Sequence, residues 1–186
     1  MVDYPKGVYF LTSSTFLHYP YFQDAEQKEI VLNQIKKLKK ERDIQICSFS
    51  IQINHCHLIF YVKKEKDVTL VKQLMHGGTS YFYRKKYRMK YQELWGTQKI
   101  MRIWSNEMYW KIVAYVCGNL LKHREVGTFG ELKANPFSSY GHFAEKYGDD
   151  FMKEGIYRII DVAEDADGGP NWDDIKQARL ARYGPA

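Results

Sequence analysis

Residues 45–62, QICSFSIQINHCHLIFYV, constrain the fold more than any other stretch. QICSFSIQI alternates apolar and polar positions, HLIFYV is an apolar run rich in β-formers, and Asn54-His55 between them suits a tight turn. The segment therefore reads as a β-hairpin, with strands over Gln45–Ile53 and His57–Val62. What flanks it fixes the class. Gly7–Phe16 is rich in aromatics and Thr and predicts a first strand. Gln27–Lys40 carries Val31, Ile35 and Leu38 on one face and lysines mostly off it, an amphipathic helix. A second helical stretch runs from Val68 to about Tyr83, interrupted at Gly77-Gly78. Lys99–Trp104 predicts a fourth strand, and Asn106 can cap a third helix reaching about Lys122. The order β-α-β-β-α-β-α implies an α+β fold: a ferredoxin-like or RRM-like split βαβ, an antiparallel sheet with helices on one face and a further helix after the last core strand.

The 186 residues suffice for one domain and a tail. We expect a domain over 1–126, a C-terminal extension packed on it over 127–160, and a tail over 161–186. That tail starts acidic and Gly/Pro-containing and ends in the basic IKQARLARY. Deleting it tests whether it docks near the site and restrains activity. No run of eighteen apolar residues is present, so no membrane span is expected. The N-terminal residues lack the apolar core and cleavage site of a signal peptide, which makes the cytoplasm the expected compartment. Cys47, Cys56 and Cys117 are odd in number and without CxxC spacing, so reduced, mostly buried thiols are expected. The charge is uneven. Residues 1–126 hold 21 Lys and Arg against 11 Asp and Glu, a net +10, whereas 127–186 hold 7 against 11, a net −4. A basic body with fifteen tyrosines suits a polyanion whose bases can stack, although an ordinary solvated basic surface gives the same charge.

Two constellations bear chemistry. His55 and His57 stand at i and i+2 around Cys56, so on a strand both imidazoles share a face. Paired histidines in such apolar surroundings suit a divalent metal, or are two satisfied rings at a sheet edge. On the third helix, Tyr109, Ile112, Val113, Val116 and Leu120 form an apolar face. Met108, Lys111, Tyr115, Asn119 and Lys122 form a separate, mostly polar stripe. A tyrosine, an amide four residues on and flanking lysines make a phosphate site, or a half-buried aromatic with solvated neighbours.

Together, INHCHLIF (53–60), AYVCGN (114–119), the first-strand YFLTSSTF (9–16) and WGTQKIMRIWSNEMYWKIVAYV (95–116) resemble the single-tyrosine HUH transposases. The later NPFSSYGHF (135–143) resembles an element of their REP-associated subgroup. Cys56 fills the middle of the histidine motif, and Asn119 stands where many relatives have Gln. The resemblance implies a metal-dependent transposase that cuts single-stranded DNA, next to hairpins, and rejoins the ends. Tyr115 would be the nucleophile and give a 5′-phosphotyrosine. His55, His57 and Asn119 would hold one Mg or Mn ion, although imidazoles alone favour Zn, Ni or Cu. Lys111 or Lys122 would favour the tyrosinate, and Lys111 and Lys122 with Arg84, Lys85, Lys86 and Arg88 of the basic run 84–90 would bind the strand. Relatives act as monomers or exchange a helix between subunits, so a homodimer stays open. The same βαββαβ order also serves non-catalytic single-stranded nucleic acid binding modules, which stack bases on sheet aromatics.

Overall fold

A computed structural model describes residues 7–42, 44–64, 66–89 and 93–159 of the chain; the tail expected over 161–186, and the restraint assigned to it, lie outside the described residues. The strands are β1 (Gly7–Thr15), β2 (Gln45–Ile51), β3 (His55–Val62) and β4 (Trp95–Ile103). They form one sheet in the order β2-β3-β1-β4 with every pairing antiparallel. This is the split βαβ arrangement read from the sequence. The helices are α1 (Ala25–Arg42), α2 (Lys66–Gln73), α3 (Thr79–Tyr87), α4 (Asn106–Lys122), α5 (Phe129–Ala134), α6 (Tyr140–Tyr147) and α7 (Asp149–Tyr157).

Strand alternation splits the sheet into two buried faces. Tyr9, Leu11, Ser13, Cys56, Leu58 and Phe60 turn towards α1, α2 and α3, and Ser13 Oγ lies 2.8 Å from His76 Nε2 of the turn linking α2 to α3. Phe10, Thr12, Ser48, His55 and His57 turn the other way, towards α4: Phe10 meets Tyr115 edge-on and Ser48 Oγ lies 3.6 Å from Cys117 Sγ. The expectation of helices on one face thus holds for α1 to α3, and α4, after the last strand, covers the opposite face.

Local chemistry explains where the boundaries moved. α1 starts at Ala25 rather than Gln27 because Asp24 accepts from Gln27 N, while Gln27 Oε1 accepts in return from Gln23 N and Asp24 N. This reciprocal cap satisfies donors that the helix leaves open. α4 is capped by Ser105, not Asn106: Ser105 Oγ accepts from Met108 N at 3.1 Å. The Gly77-Gly78 pair does not interrupt its helix. A wider π turn over Leu74–Gly78 carries the chain from α2 into α3. β2 stops at Ile51 because the Ile53 amide donates to Glu125 Oε1 and its carbonyl accepts from Phe22 N. The turn therefore falls before His55, which joins β3 opposite Ser14. β4 begins at Trp95, earlier than Lys99, and Gly96 passes so close to β1 that a Cβ would stand 3.0 Å from the Thr15 carbonyl oxygen.

The residues after α4 hold it in place. Phe137 to Ser139 run along the outer edge of β2, with Ile51 N donating to Phe137 O and Ser139 N to Phe49 O, which blunts that edge. Ser138 Oγ donates to the Cys117 carbonyl. On its far side α4 meets α7 so tightly that a Cβ on Gly118 would lie 2.8 Å from Ile156. Ile112 to Leu120 are all buried in consequence. Cys56 and Cys117 are buried free thiols and Cys47 is half-buried; burial pushes them up to about 12, 12 and 11. Among the described residues no helix is long and apolar enough to cross a membrane.

Candidate active site

Strand geometry delivers two imidazoles to one place. His55 and His57 leave β3 on the same face, and their ring centroids lie 4.9 Å apart. α4 crosses this face and brings Tyr115, its ring 5.1 Å from His57 and 6.3 Å from Phe10. One turn on, Asn119 Oδ1 lies 3.0 Å from His55 Nε2. The Lys122 ammonium sits 5.5 Å over the Tyr115 ring. Tyr115 is 4% exposed and Asn119 fully buried, so these two residues of the stripe expected to be mostly polar face inward onto the sheet, while Lys111 stays exposed. A helical wheel gives the sides of a helix but not which side is covered.

Hydrogen bonds assign the protons. Asn54 Nδ2 donates to the His18 carbonyl, which leaves Asn54 Oδ1 to accept from His55 Nδ1 at 2.7 Å. His55 Nε2 then presents a lone pair to the Asn119 oxygen. The Asn119 amide oxygen lies 3.0 Å from it, so the two groups can share a proton or a metal ion. His57 Nδ1 meets Thr12 Oγ1 at 3.1 Å, and with its proton there the lone pair of Nε2 points into the site. That Nε2 and Asn119 Nδ2 are buried without a hydrogen-bond partner. Buried orphans of this kind call for an account. Among the described residues no three His, Cys, Asp or Glu side chains gather for a metal, so the third donor available beside the two rings is the Asn119 amide.

His57 is fully buried, and burial holds its pKa well below the ordinary histidine value, with His55, His123 and Lys122 adding to the effect. His76 is held down to about 4, by burial first and then by Lys72. Both rings are therefore neutral in the folded state near neutral pH. The unfolded chain binds protons at these positions first, so their contribution to stability is complete above about pH 6.5 and is lost as pH falls towards 4. In chelator, the urea midpoint is expected to drop across this window with uptake of roughly two protons. A flat profile would show that the rings charge in place.

Of the remaining sequence-predicted residues, Lys122 joins the cluster and Lys111 does not: its ammonium is 2.9 Å from Glu107, and it lines a groove between α4 and α7 with Trp110, Phe151 and Met152. Arg84, Lys85, Lys86 and Arg88 lie on or just after α3, behind the sheet. Lys86 pairs with Glu26 at 2.5 Å, while Lys85 and Arg88 are exposed. Sequence reasoning missed His123, whose ring lies 4.8 Å from His55, and Asn54, which orients that ring. His123 stands four residues after Asn119, and that spacing was the available signal. It also missed the strained loop beside Asn54, where Leu17 and His18 both have left-handed backbone, φ 53° and 54°.

The family model described as IS200-like transposase matches residues 11–119. A solved structure of a REP-associated tyrosine transposase bound to a REP hairpin superposes with a TM-score of 0.63 at 19% identity, over 91% of this chain and 94% of that one. A protein from Deinococcus radiodurans R1, assigned as a transposase, aligns with a TM-score of 0.44 at 13% identity, over 62% of this chain and 92% of that one. No curated protein sequence matches this chain.

Proposed function

The chain belongs to the IS200-like transposase family, and from that premise we propose that it is a metal-dependent single-stranded DNA endonuclease and strand transferase whose nucleophile is Tyr115. The observation that carries this reading is the convergence, under α4, of Tyr115 and the Asn119 amide on two imidazoles, one with an orphaned buried Nε2. The donor set suits a divalent ion. His55 Nε2 and Asn119 Oδ1, 3.0 Å apart, would both lie within reach of one such ion. Held by His55, His57 and Asn119, such an ion would supply Lewis acidity at the scissile phosphate and at the leaving oxygen.

The residues of this chain do the rest. Tyr115 Oη bonds to phosphorus as the bond to the 3′ oxygen breaks. The tyrosyl proton is lost and the departing oxygen gains one, leaving a 5′-phosphotyrosine and a free 3′-OH. The bond energy stays in the phosphotyrosine, so another 3′-OH can reverse the step and join strands. Lys122, its ammonium 5.5 Å over the Tyr115 ring, places a positive charge beside the nucleophile and the phosphate it would attack. Thr12 and Asn54 fix the two imidazoles. Lys85 and Arg88, exposed behind the sheet, offer a basic surface to DNA flanking the reacting phosphate rather than to the phosphate itself. The hairpin held by the REP-associated relative makes hairpin-forming single strands the substrate to try first. A nucleic acid binding module of this fold keeps one sheet face open for bases. Here α4 covers it, and that disfavours the non-catalytic reading.

The test is a hairpin with single-stranded flanks, labelled at either end, given with Mg or Mn or with chelator. The 3′ label is expected to stay on the protein in a covalent band, and the 5′ label to leave in a shorter strand ending in 3′-OH. Both should need the metal. Binding without any covalent band, across a broad set of hairpins and both metals, would remove the proposal.

A further inference from the structure

Nine large apolar or aromatic side chains are exposed among the described residues, and four of them, Phe16, Leu17, Tyr19 and Ile53, stand on the two loops that flank His55. Leu17 is 82% exposed and Tyr19 57%. These loops are joined by two backbone bonds and one from a side chain. Thr15 N donates to Asn54 O, Phe22 N to Ile53 O, and Asn54 Nδ2 to His18 O. A scattered exposed leucine needs no explanation, but four large exposed side chains on two loops bonded to each other do.

The surface is held rigidly. Tyr19 packs on Tyr21 with centroids 4.7 Å apart, and Tyr83 of α3 donates its hydroxyl to the Tyr21 carbonyl at 2.7 Å. Thr15 Oγ1 donates to the Tyr19 carbonyl at 2.7 Å. Leu17 and His18 are kept in left-handed backbone that neither residue type favours. That conformation turns the Leu17 side chain to solvent and the His18 carbonyl to Asn54, whose oxygen accepts from His55. Strain persists only where its surroundings fix it, and such residues cluster at ligand sites. Thr15 to Phe22 contain no acidic residue, so nothing there repels a polyanion.

We propose that Phe16, Leu17 and Tyr19, with Ile53, form a base-stacking platform that holds an unpaired DNA base next to the scissile phosphate. The placement of the phosphate rests on the nuclease reading above. The partner is single-stranded DNA because the surface is largely aromatic, carries no acidic residue over Thr15–Phe22 and adjoins the phosphate site through Asn54 and His55. Bases stack on such side chains with little regard to sequence. The platform is coupled to the site through one chain of bonds, from the His18 carbonyl to Asn54 to His55. Base binding at the loop thereby steadies the ring that offers Nε2.

The test uses the full chain and hairpin DNA with 2-aminopurine placed in turn at each single-stranded position near the foot. Leu17→Gly removes the side chain at a backbone that glycine adopts freely, so the fold is not at risk. Tyr19→Ser removes the second stacking surface, and Tyr19→Phe retains it. The double variant Leu17→Gly, Tyr19→Ser is expected to bind about 5- to 100-fold more weakly. It should also lose the 2-aminopurine quenching that the unaltered protein gives at one position. Tyr19→Phe should keep both, and Mn binding without DNA should be unchanged. Equal affinity and equal quenching in the double variant would overturn the platform even if phosphotyrosine still forms, and the nuclease reading would stand. Quenching lost in the variant, with no phosphotyrosine from either protein, would support the platform and sink the nuclease. An absence of single-strand binding by the unaltered protein would overturn both.

Discussion

Tyr115→Phe is expected to abolish the covalent protein–DNA band and to slow strand cleavage by on the order of 10,000-fold or more, while DNA binding and metal binding change by no more than a few-fold. The variant keeps the ring against His57, Phe10 and Lys122 and removes only the oxygen. Loss of one buried hydroxyl costs on the order of 1–3 kcal/mol of stability, which leaves the protein folded under assay conditions. The size of the effect follows from the chemistry: without a nucleophile on the chain, water must attack, and nothing among the named residues activates it. α4 carries a second tyrosine, which makes this variant decisive. Tyr109 is pushed up to about 12 by burial first, then by Cys47, Tyr147 and Cys117, and it packs against Trp110 rather than beside the histidines. A covalent band that survives in Tyr115→Phe and disappears in Tyr109→Phe would transfer the role to Tyr109 and break the link between nucleophile and imidazole pair.

What was legible in the sequence is what depends on short-range periodicity. Period two put His55 and His57 on one face of one strand, and the i,i+4 spacing put Tyr115 and Asn119 on one side of a helix. The βαββαβ order followed from segment patterns and fixed the sheet topology. Long-range closure was not legible. That α4 would turn its Tyr115 side inward depends on Ser138, 21 residues beyond Cys117, and on Ile156 filling the space beside Gly118. Boundaries slipped where side chains compete for backbone groups, as when Glu125 takes the Ile53 amide and ends β2 early. Nor does any pattern reveal that the His18 carbonyl would orient Asn54 and so assign the proton on His55.

Glu125→Ala is expected to cost about 3–5 kcal/mol, far more than a surface ion pair, and to lower the midpoint of thermal unfolding by roughly 10–15 °C. α4 ends with Arg124 in left-handed backbone, Arg124 N donating to Leu121 O and Glu125 N to Leu120 O. This cap throws Glu125 towards the β2–β3 turn. One carboxylate oxygen accepts from Ile53 N at 2.9 Å, and the other lies 2.5 Å from Lys28 Nζ of α1. Both side chains are about one-tenth exposed, and the ammonium also sits 5.7 Å over the Phe137 ring. Removing the carboxylate leaves a nearly buried ammonium without its counter-charge and an amide without its acceptor. Urea denaturation of Glu125→Ala, Lys28→Met and the double variant separates these costs. If the pair is as buried as its geometry indicates, Lys28→Met in the Glu125→Ala background should recover part of the loss, because no stranded charge remains. A single-variant loss below about 1 kcal/mol would place the pair with solvent-screened surface bridges instead. Cleavage provides the second readout. The turn that Glu125 holds carries Asn54 and His55, so Glu125→Ala should weaken Mn binding even at temperatures where the chain is folded, whereas a loss of global stability alone would leave that affinity unchanged.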